Sequence, residues 1–295
     1  MFNPAKSMLL IVIFLMMPLP VLAGSSAQDQ AILAVSEKEK KSGAKTGDRT
    51  GKILRFAVHV SKMGKMDPHF AAGSQDRTFA DMVFNGLLRY KPGNAPSIEP
   101  DLAAEMPMLK TINGSQVWTI PLRKGVMFHP GPKTPSYEFT ADDVVFSFTK
   151  AADPKRSAYA GDYDGIRVNK IDRYTVEFIL ANPLSSILFF PKITNYNGGF
   201  VVSQKALETM GYDNYLKHPV GTGPFMFKAR DPGKNLSLSA HGDYFRGKPE
   251  LDGVELHFVP EIEKRRAGPP EGGDHVIIRS GKKRFTKKPF KNPRV

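Results

Sequence analysis

The sequence predicts an α/β fold, and three local patterns predict it. Trp118, Ile120 and Leu122 alternate with Thr119, Pro121 and Arg123, the period of a half-buried strand. Phe139-Thr140-Ala141-Asp142-Asp143-Val144 writes out a helix start. Its Thr140 is a good N-cap, Asp143 stands at the third helical position, and Phe139 and Val144 occupy the hydrophobic-staple positions. Alternating segments recur at residues 53–60, 175–180, 225–229 and 254–259, so strands bracket the helical stretch on both sides.

Taken in order, residues 53–60 are the first strand of the folded body. Phe79, Met82, Val83, Phe84, Leu87 and Leu88 mark one face of a helix. The strand at 118–122 contains Pro121, which has no N–H to give to a ladder, so it is expected at a sheet edge or at a bulge. Lys124-Gly125 turns the chain into a short apolar run, residues 126–128. In the helix that begins at Thr140, the buried stripe is Val144, Val145 and Phe148. Asp142 and Asp143 complement the positive helix end, and Asp153-Pro154 stops the helix. As capping acids the pair needs no catalytic role, and its replacement by amides should matter less than loss of the cap. After the strand at 175–180, Ser203 caps a short helix, Gly221 and Gly223 allow unusual backbone or close packing, and Leu236 and Leu238 belong to the hairpin partner of 225–229.

Composition narrows the function classes. Of 295 residues 41% are hydrophobic, enough for a cored fold, and none is cysteine, which excludes disulfides and thiolate chemistry. The net charge is +13, but residues 262–295 hold eleven Lys or Arg against three acids, so this tail supplies +8 and leaves +5 elsewhere. Lys6 followed by an apolar run to Ala23, with small residues before Gly24, reads as a cleaved secretory signal. With no following cysteine, a lipoprotein anchor is excluded, and a periplasmic location is expected. Residues 24–52 are a polar tether. The stretch Gly47 to Ile53 is one residue short of a phosphate-binding loop and has Ile53 where a hydroxyl would hold magnesium. The histidines (His59, His69, His129, His218, His241, His257, His275) form no paired metal spacing. No catalytic residue, metal site or cofactor is expected.

Trp118-Thr119 through Leu122-Arg123-Lys124-Gly125-Val126 and Phe128-His129, followed by Phe139-Thr140-Ala141-Asp142-Asp143-Val144-Val145-Phe146-Ser147, resembles the family 5 extracellular solute-binding proteins, the peptide-, dipeptide- and nickel-binding components of ABC importers. Met66-Asp67-Pro68-His69, Ile98-Glu99-Pro100-Asp101-Leu102-Ala103, Pro219-Val220-Gly221-Thr222-Gly223-Pro224-Phe225 and Asp243-Tyr244-Phe245-Arg246-Gly247-Lys248-Pro249 are similar to further family landmarks, in family order.

The resemblance covers residues 53–261. It implies the type II periplasmic-binding-protein fold, two α/β lobes that close on a ligand. Residues 53–66 and 165–261 would form the first lobe and residues 67–164 an inserted subdomain. It also implies peptide cargo, a membrane permease of an ABC importer as partner, a monomer, and no nucleic acid. The candidate ligand contacts are Met63 and Gly64, just past the first strand, and Asn195, Tyr196, Asn197 and Gly198, which combine an aromatic, two amides and permissive backbone. Beyond 261 the family pattern of an apolar helix and an acidic Gly-Glu-x-Asp element gives way to Pro269-Pro270 and a basic run. The expectation is therefore a frameshift or early stop, a missing second lobe, impaired binding, and a tail without fold. The rival reading makes that tail a secreted basic module for polyanions.

Overall fold

The computed structural model describes residues 51–93 and 96–260, and the backbone of His275–Ile277. The expected secretion signal, all but the last two residues of the expected tether and nearly all of the basic tail lie outside the described residues. Among the described residues, eleven strands form three sheets. β1 (Ile53–Val58) lies between β10 (Gly253–Phe258) and β11 (His275–Ile277), parallel to both, and β9 (Asn235–Ala240) and β8 (Phe225–Asp231) continue antiparallel, giving the order β11-β1-β10-β9-β8. Three residues of the segment expected to carry no element therefore join the sheet. β2 (Leu88–Tyr90) and β3 (Ile98–Pro100) make a small ribbon.

The third sheet is wholly antiparallel, with β4 (Met108–Ile112), β5 (Ser115–Pro121), β7 (Thr175–Leu180) and β6 (Ile166–Asp172) in the order β4-β5-β7-β6. The expected division at 164/165 falls inside this unit, because β6 and β7 are built onto β5. The strand carrying Pro121 is also central and in regular register with β7, where an edge or a bulge was expected. Pairing of β5 with β4 stops at Thr119, two residues short of Pro121. The proline thus sits where no β4 acceptor awaits its missing N–H.

Helix α1 (Ser74–Val83) packs beside β8, and α2 (Ala141–Ala151) packs on β6 and β7. Three short helices follow: α3 (Ser186–Phe189), α4 (Gln204–Met210) and α5 (Tyr212–Tyr215). One continuous apolar core joins residues from the two larger sheets and the helices. Trp118 belongs to it, stacked on Phe189 at 5.2 Å between centroids. Among the described residues, no helix is long and apolar enough to cross a membrane.

The start of α2 folds as its local sequence dictates. Thr140 and Asp143 form a capping box, with the Thr140 N–H donating to Asp143 Oδ2 at 3.1 Å, and Phe139 and Val144 are fully buried. The two acids then part company. Asp142 is exposed and pairs with Lys170 at 2.8 Å. Asp143 is buried and also accepts from Tyr137 Oη at 2.7 Å and the Gln204 N–H at 3.4 Å. Asp143→Asn turns one acceptor oxygen into a donor facing donors, so a loss of about 1–3 kcal/mol is expected. Thr140→Ala should cost about 1 kcal/mol and Asp142→Asn well under that. Urea unfolding of the three variants checks this order, which departs from the sequence expectation at Asp143 and keeps it at Asp142.

Three of the landmark segments, those carrying Asp101, Thr222 and Tyr244–Arg246, meet in one polar network. Asn85 Nδ2 donates to Asp101 Oδ2 at 2.8 Å and to Tyr244 Oη at 3.2 Å, while Asn85 Oδ1 accepts from Thr222 Oγ1 at 3.0 Å. Arg246 Nε reaches Asp101 Oδ1 at 2.8 Å. Asp67 and His69 belong to a second network with Lys150. Lys150 Nζ lies 2.8 and 3.0 Å from the Asp67 carboxylate oxygens and 3.1 Å from His69 Nδ1, and Tyr212 Oη donates to Asp67 Oδ2 at 3.0 Å.

Two histidines in these cores are held neutral. Burial pulls His69 down to about 4 and His129 to about 3 from an ordinary 6.5. The unfolded chain binds these protons first, so the two residues contribute stability above pH 6.5. That contribution drains as pH falls through 6.5 towards 4. Thermal unfolding between pH 7.5 and 4.5 should show a declining midpoint, with a smaller decline in His129→Gln.

Candidate functional site

Helix α1 organises the candidate site, because successive residues on it hold both sequence-derived segments. Gly73 precedes its first turn, and Asp76 at the third helical position accepts from the Gly73 N–H at 3.3 Å and from the Gly64 N–H at 3.0 Å. Gly64 lies beyond the carboxyl end of β1, where ligands of open α/β sheets are bound. Arg77, the next residue on α1, donates to Tyr196 Oη at 2.9 Å, with its guanidinium 4.8 Å from the ring centroid. One turn further, Asp81 accepts from Asn195 Nδ2 at 2.8 Å. Desolvation by the surrounding protein pulls Asp81 upward despite that bond, although the residue keeps an exposed surface.

These contacts sort the six candidates. Met63 is 4% exposed and belongs to the core. The Gly64 N–H is already bonded to Asp76. Asn195 spends its amide nitrogen on Asp81 and its oxygen on the Tyr90 N–H at 3.3 Å. Gly198 is packed so that a Cβ would stand 2.7 Å from the Tyr163 ring. Those four shape the site. Tyr196, 39% exposed, is the one that presents a group, and Asn197 lines the cavity beside it. Asn197 holds φ +51°, and its Oδ1 is buried without a partner among the described residues. The left-handed backbone is one that asparagine tolerates, and an acceptor without a donor is costly unless something else supplies one.

Two adjoining cavities open beside this loop. One, of about 410 Å³, is lined by Tyr163, Leu188, Lys192, Tyr196 and Asn197, and the other, of about 540 Å³, by Ile98, Ile187 and Phe190. Tyr90 and Pro191 border both. Tyr90 meets Tyr196 edge to face at 6.4 Å, and Ile187 and Leu188 on α3 are 81% and 57% exposed. The result is a groove with an aromatic end and an apolar flank. It suits an extended ligand with an apolar body. Arg77, Asp81 and Tyr90 escaped sequence reading. The first two stand four apart on one helix, an interval that places them on a common face, but nothing local names their partners.

A family model described as "Bacterial extracellular solute-binding proteins, family 5 Middle" matches residues 97–294, beyond the point at 261 where the motifs fade. Di/tripeptide-binding protein 2 of Pseudomonas aeruginosa is 30% identical over 238 residues, covering 73% of this chain and 43% of that protein. Heme-binding protein A of Haemophilus influenzae is 29% identical, covering 82% and 47%. Among solved structures, the binding protein MoaA from A. tumefaciens R10 in complex with mannopinic acid has a TM-score of 0.66 and 37% identity over 74% of this chain and 43% of its own. The periplasmic binding protein DppA from Helicobacter pylori, in complex with the peptide STSA, has a TM-score of 0.62 and 26% identity, over 73% and 44%. The chain spans under half the length of these relatives, and its α/β fold is that of periplasmic binding proteins.

Proposed function

Because the chain belongs to the bacterial extracellular solute-binding proteins of family 5, we propose that it serves as the substrate-binding component of a peptide ABC importer, taking cargo along the Tyr196–Asn197 groove. The observation that carries this reading is the anchoring of both candidate segments on α1, with the exposed Tyr196 ring presented to a groove flanked by Ile187 and Leu188. An aromatic or apolar side chain of the cargo would pack on the Tyr196 ring and cover the α3 flank. A permease partner and a periplasmic setting follow from the family reading, and a peptide cargo accords with the names of relatives such as the dipeptide-binding protein of Escherichia coli.

The described residues supply one wall of such a site. Ligand pockets bury about 70–90% of their ligand. If one wall keeps half the contact energy of a micromolar complex, about −8 kcal/mol, millimolar affinity remains. Calorimetry of the purified chain against di- to pentapeptides tests this, with Tyr196→Ala expected to weaken whatever binding is seen by about tenfold. Mannopinic acid belongs in the same panel, since a relative solved with it shares 37% identity. Peptide binding unaffected by Tyr196→Ala would remove the groove from the proposal, and a response to mannopinic acid alone would remove the peptide.

A further inference from the structure

A third cavity, of about 360 Å³, is formed by residues of α2, the turn that follows it, and α4 and α5, and shares no lining residue with the Tyr196 groove. Its size is within the range of small-molecule sites, about 300–1,000 Å³. Phe146 and Leu207 give it an apolar side, and Lys155 and Arg156 a cationic one. Neither cation lies within ion-pair distance of a carboxylate among the described residues. This is unlike Lys150, which is spent on Asp67.

The two cations are mounted on a fixed turn. Asp153 Oδ1 accepts from the Lys155 N–H at 2.8 Å, and the Asp153 carbonyl accepts from the Arg156 N–H at 2.9 Å. The Arg156 carbonyl accepts from the buried Lys150 ammonium at 3.0 Å, which ties the turn to the Asp67 network. The Arg156 guanidinium lies over the Phe146 ring, 5.2 Å from its centroid. Stacking on an aromatic face leaves the edge N–H groups of a guanidinium free to meet a planar anion. Orientation, charge and an adjoining apolar surface therefore coincide in one cavity.

We propose that this cavity is a second binding site, which takes a small monocarboxylate with an apolar body. Arg156 and Lys155 receive the carboxylate, and Phe146 and Leu207 cover the body. The planar fork of arginine matches a carboxylate with two parallel hydrogen bonds. Glu208 at the same cavity opposes a second negative charge, so a monoanion is preferred to a dianion. The competing explanation is that Lys155 and Arg156, just past the end of α2, only complement the negative end of its dipole. That explanation predicts no saturable ligand.

The test uses the whole chain and 3-phenylpropionate as probe, with inorganic phosphate and 3-phenylpropylammonium as the other arms. Calorimetry should show saturable binding of the carboxylate alone, and amide shifts should gather around Phe146, Arg156 and Leu207 and spare Tyr196. Arg156→Gln should weaken binding about tenfold or more, the loss of one charged hydrogen-bond pair. Lys155→Glu, at an exposed position with no side-chain partner to break, gives a second reading if the first variant folds poorly, and it too should weaken the probe. Absence of saturable binding, wild-type affinity in a folded Arg156→Gln or Lys155→Glu chain, or phosphate binding as tight as the carboxylate would each overturn the proposal. Because the shifts at Tyr196 are read in the same experiment, failure here is separate from failure of the peptide groove.

Discussion

Lys150→Met is expected to destabilise the fold by about 3–5 kcal/mol, because it leaves the Asp67 carboxylate buried without its cation. Lys150 and Asp67 are 1% and 0% exposed in their side chains, at 2.8 Å. The ammonium also holds His69 Nδ1 and the Arg156 carbonyl, so one truncation strands three acceptors in the core. The network joins the loop after β1 to the end of α2. Its loss should therefore loosen both, visible as faster amide exchange at residues 67–70 and 153–158. A double-mutant cycle with Asp67→Asn separates the charge from the packing. If the buried charge is the cause, the double variant should be less destabilised than the sum of the singles. Additive losses would assign the effect to packing.

That pair also shows why part of this molecule was legible in its sequence and part was not. The capping box at Thr140 is decided within four residues, so its chemistry is written where it acts. Alternation in residues 118–122 placed Trp118 in the core for the same reason. Asp67 and Lys150 are 83 positions apart, and Asp101 and Arg246 are 145 apart. Motif resemblance singled out most of these residues without saying that they meet. Asp143 illustrates the limit within a single motif. Its bond to Thr140 is local and foreseeable, whereas its bond to Tyr137 and its nearness to Gln204 come from packing, and those set it apart from its exposed neighbour Asp142. Proline 121 misled for a related reason. A missing N–H forbids a ladder bond at one residue, and it leaves the rest of the strand free to be central.

The candidate site follows the same division. Asn195 to Gly198 stood out by composition, yet composition could not distinguish residues that present a group from residues that hold the loop. The answer lies with α1, whose Arg77 and Asp81 reach Tyr196 and Asn195 across 119 and 114 positions. Only once those bonds are known does Asn195 become a brace and Asn197 the unsatisfied acceptor.

Gly221→Ala is expected to be the other severe change, at or above the upper end of the roughly 1–3 kcal/mol typical of overpacking. A Cβ there would stand 2.0 Å from the Val83 carbonyl oxygen and 2.8 Å from a Phe84 ring carbon, and at Gly223 it would stand 2.5 Å from the Met82 carbonyl oxygen. Real Cβ contacts do not come so close, and the obstacle is mostly backbone, so the 219–225 turn would have to move off the end of α1. That displacement would break the Gly223 N–H bond to the Val83 carbonyl at 2.9 Å and the His129 N–H bond to the Gly221 carbonyl at 2.8 Å. His129 Nε2, 2.9 Å from the Gly223 carbonyl, would lose its partner as well. Gly242→Ala is the control, since a Cβ there meets nothing within 4 Å, and its melting temperature should stay near that of the parent chain. The measurement is paired thermal unfolding of the two variants. A Gly221→Ala chain that melts with the control would mean that the turn is held by something other than close backbone packing, and the meeting of the Pro-Val-Gly-Thr-Gly-Pro segment with α1 would need a different physical cause.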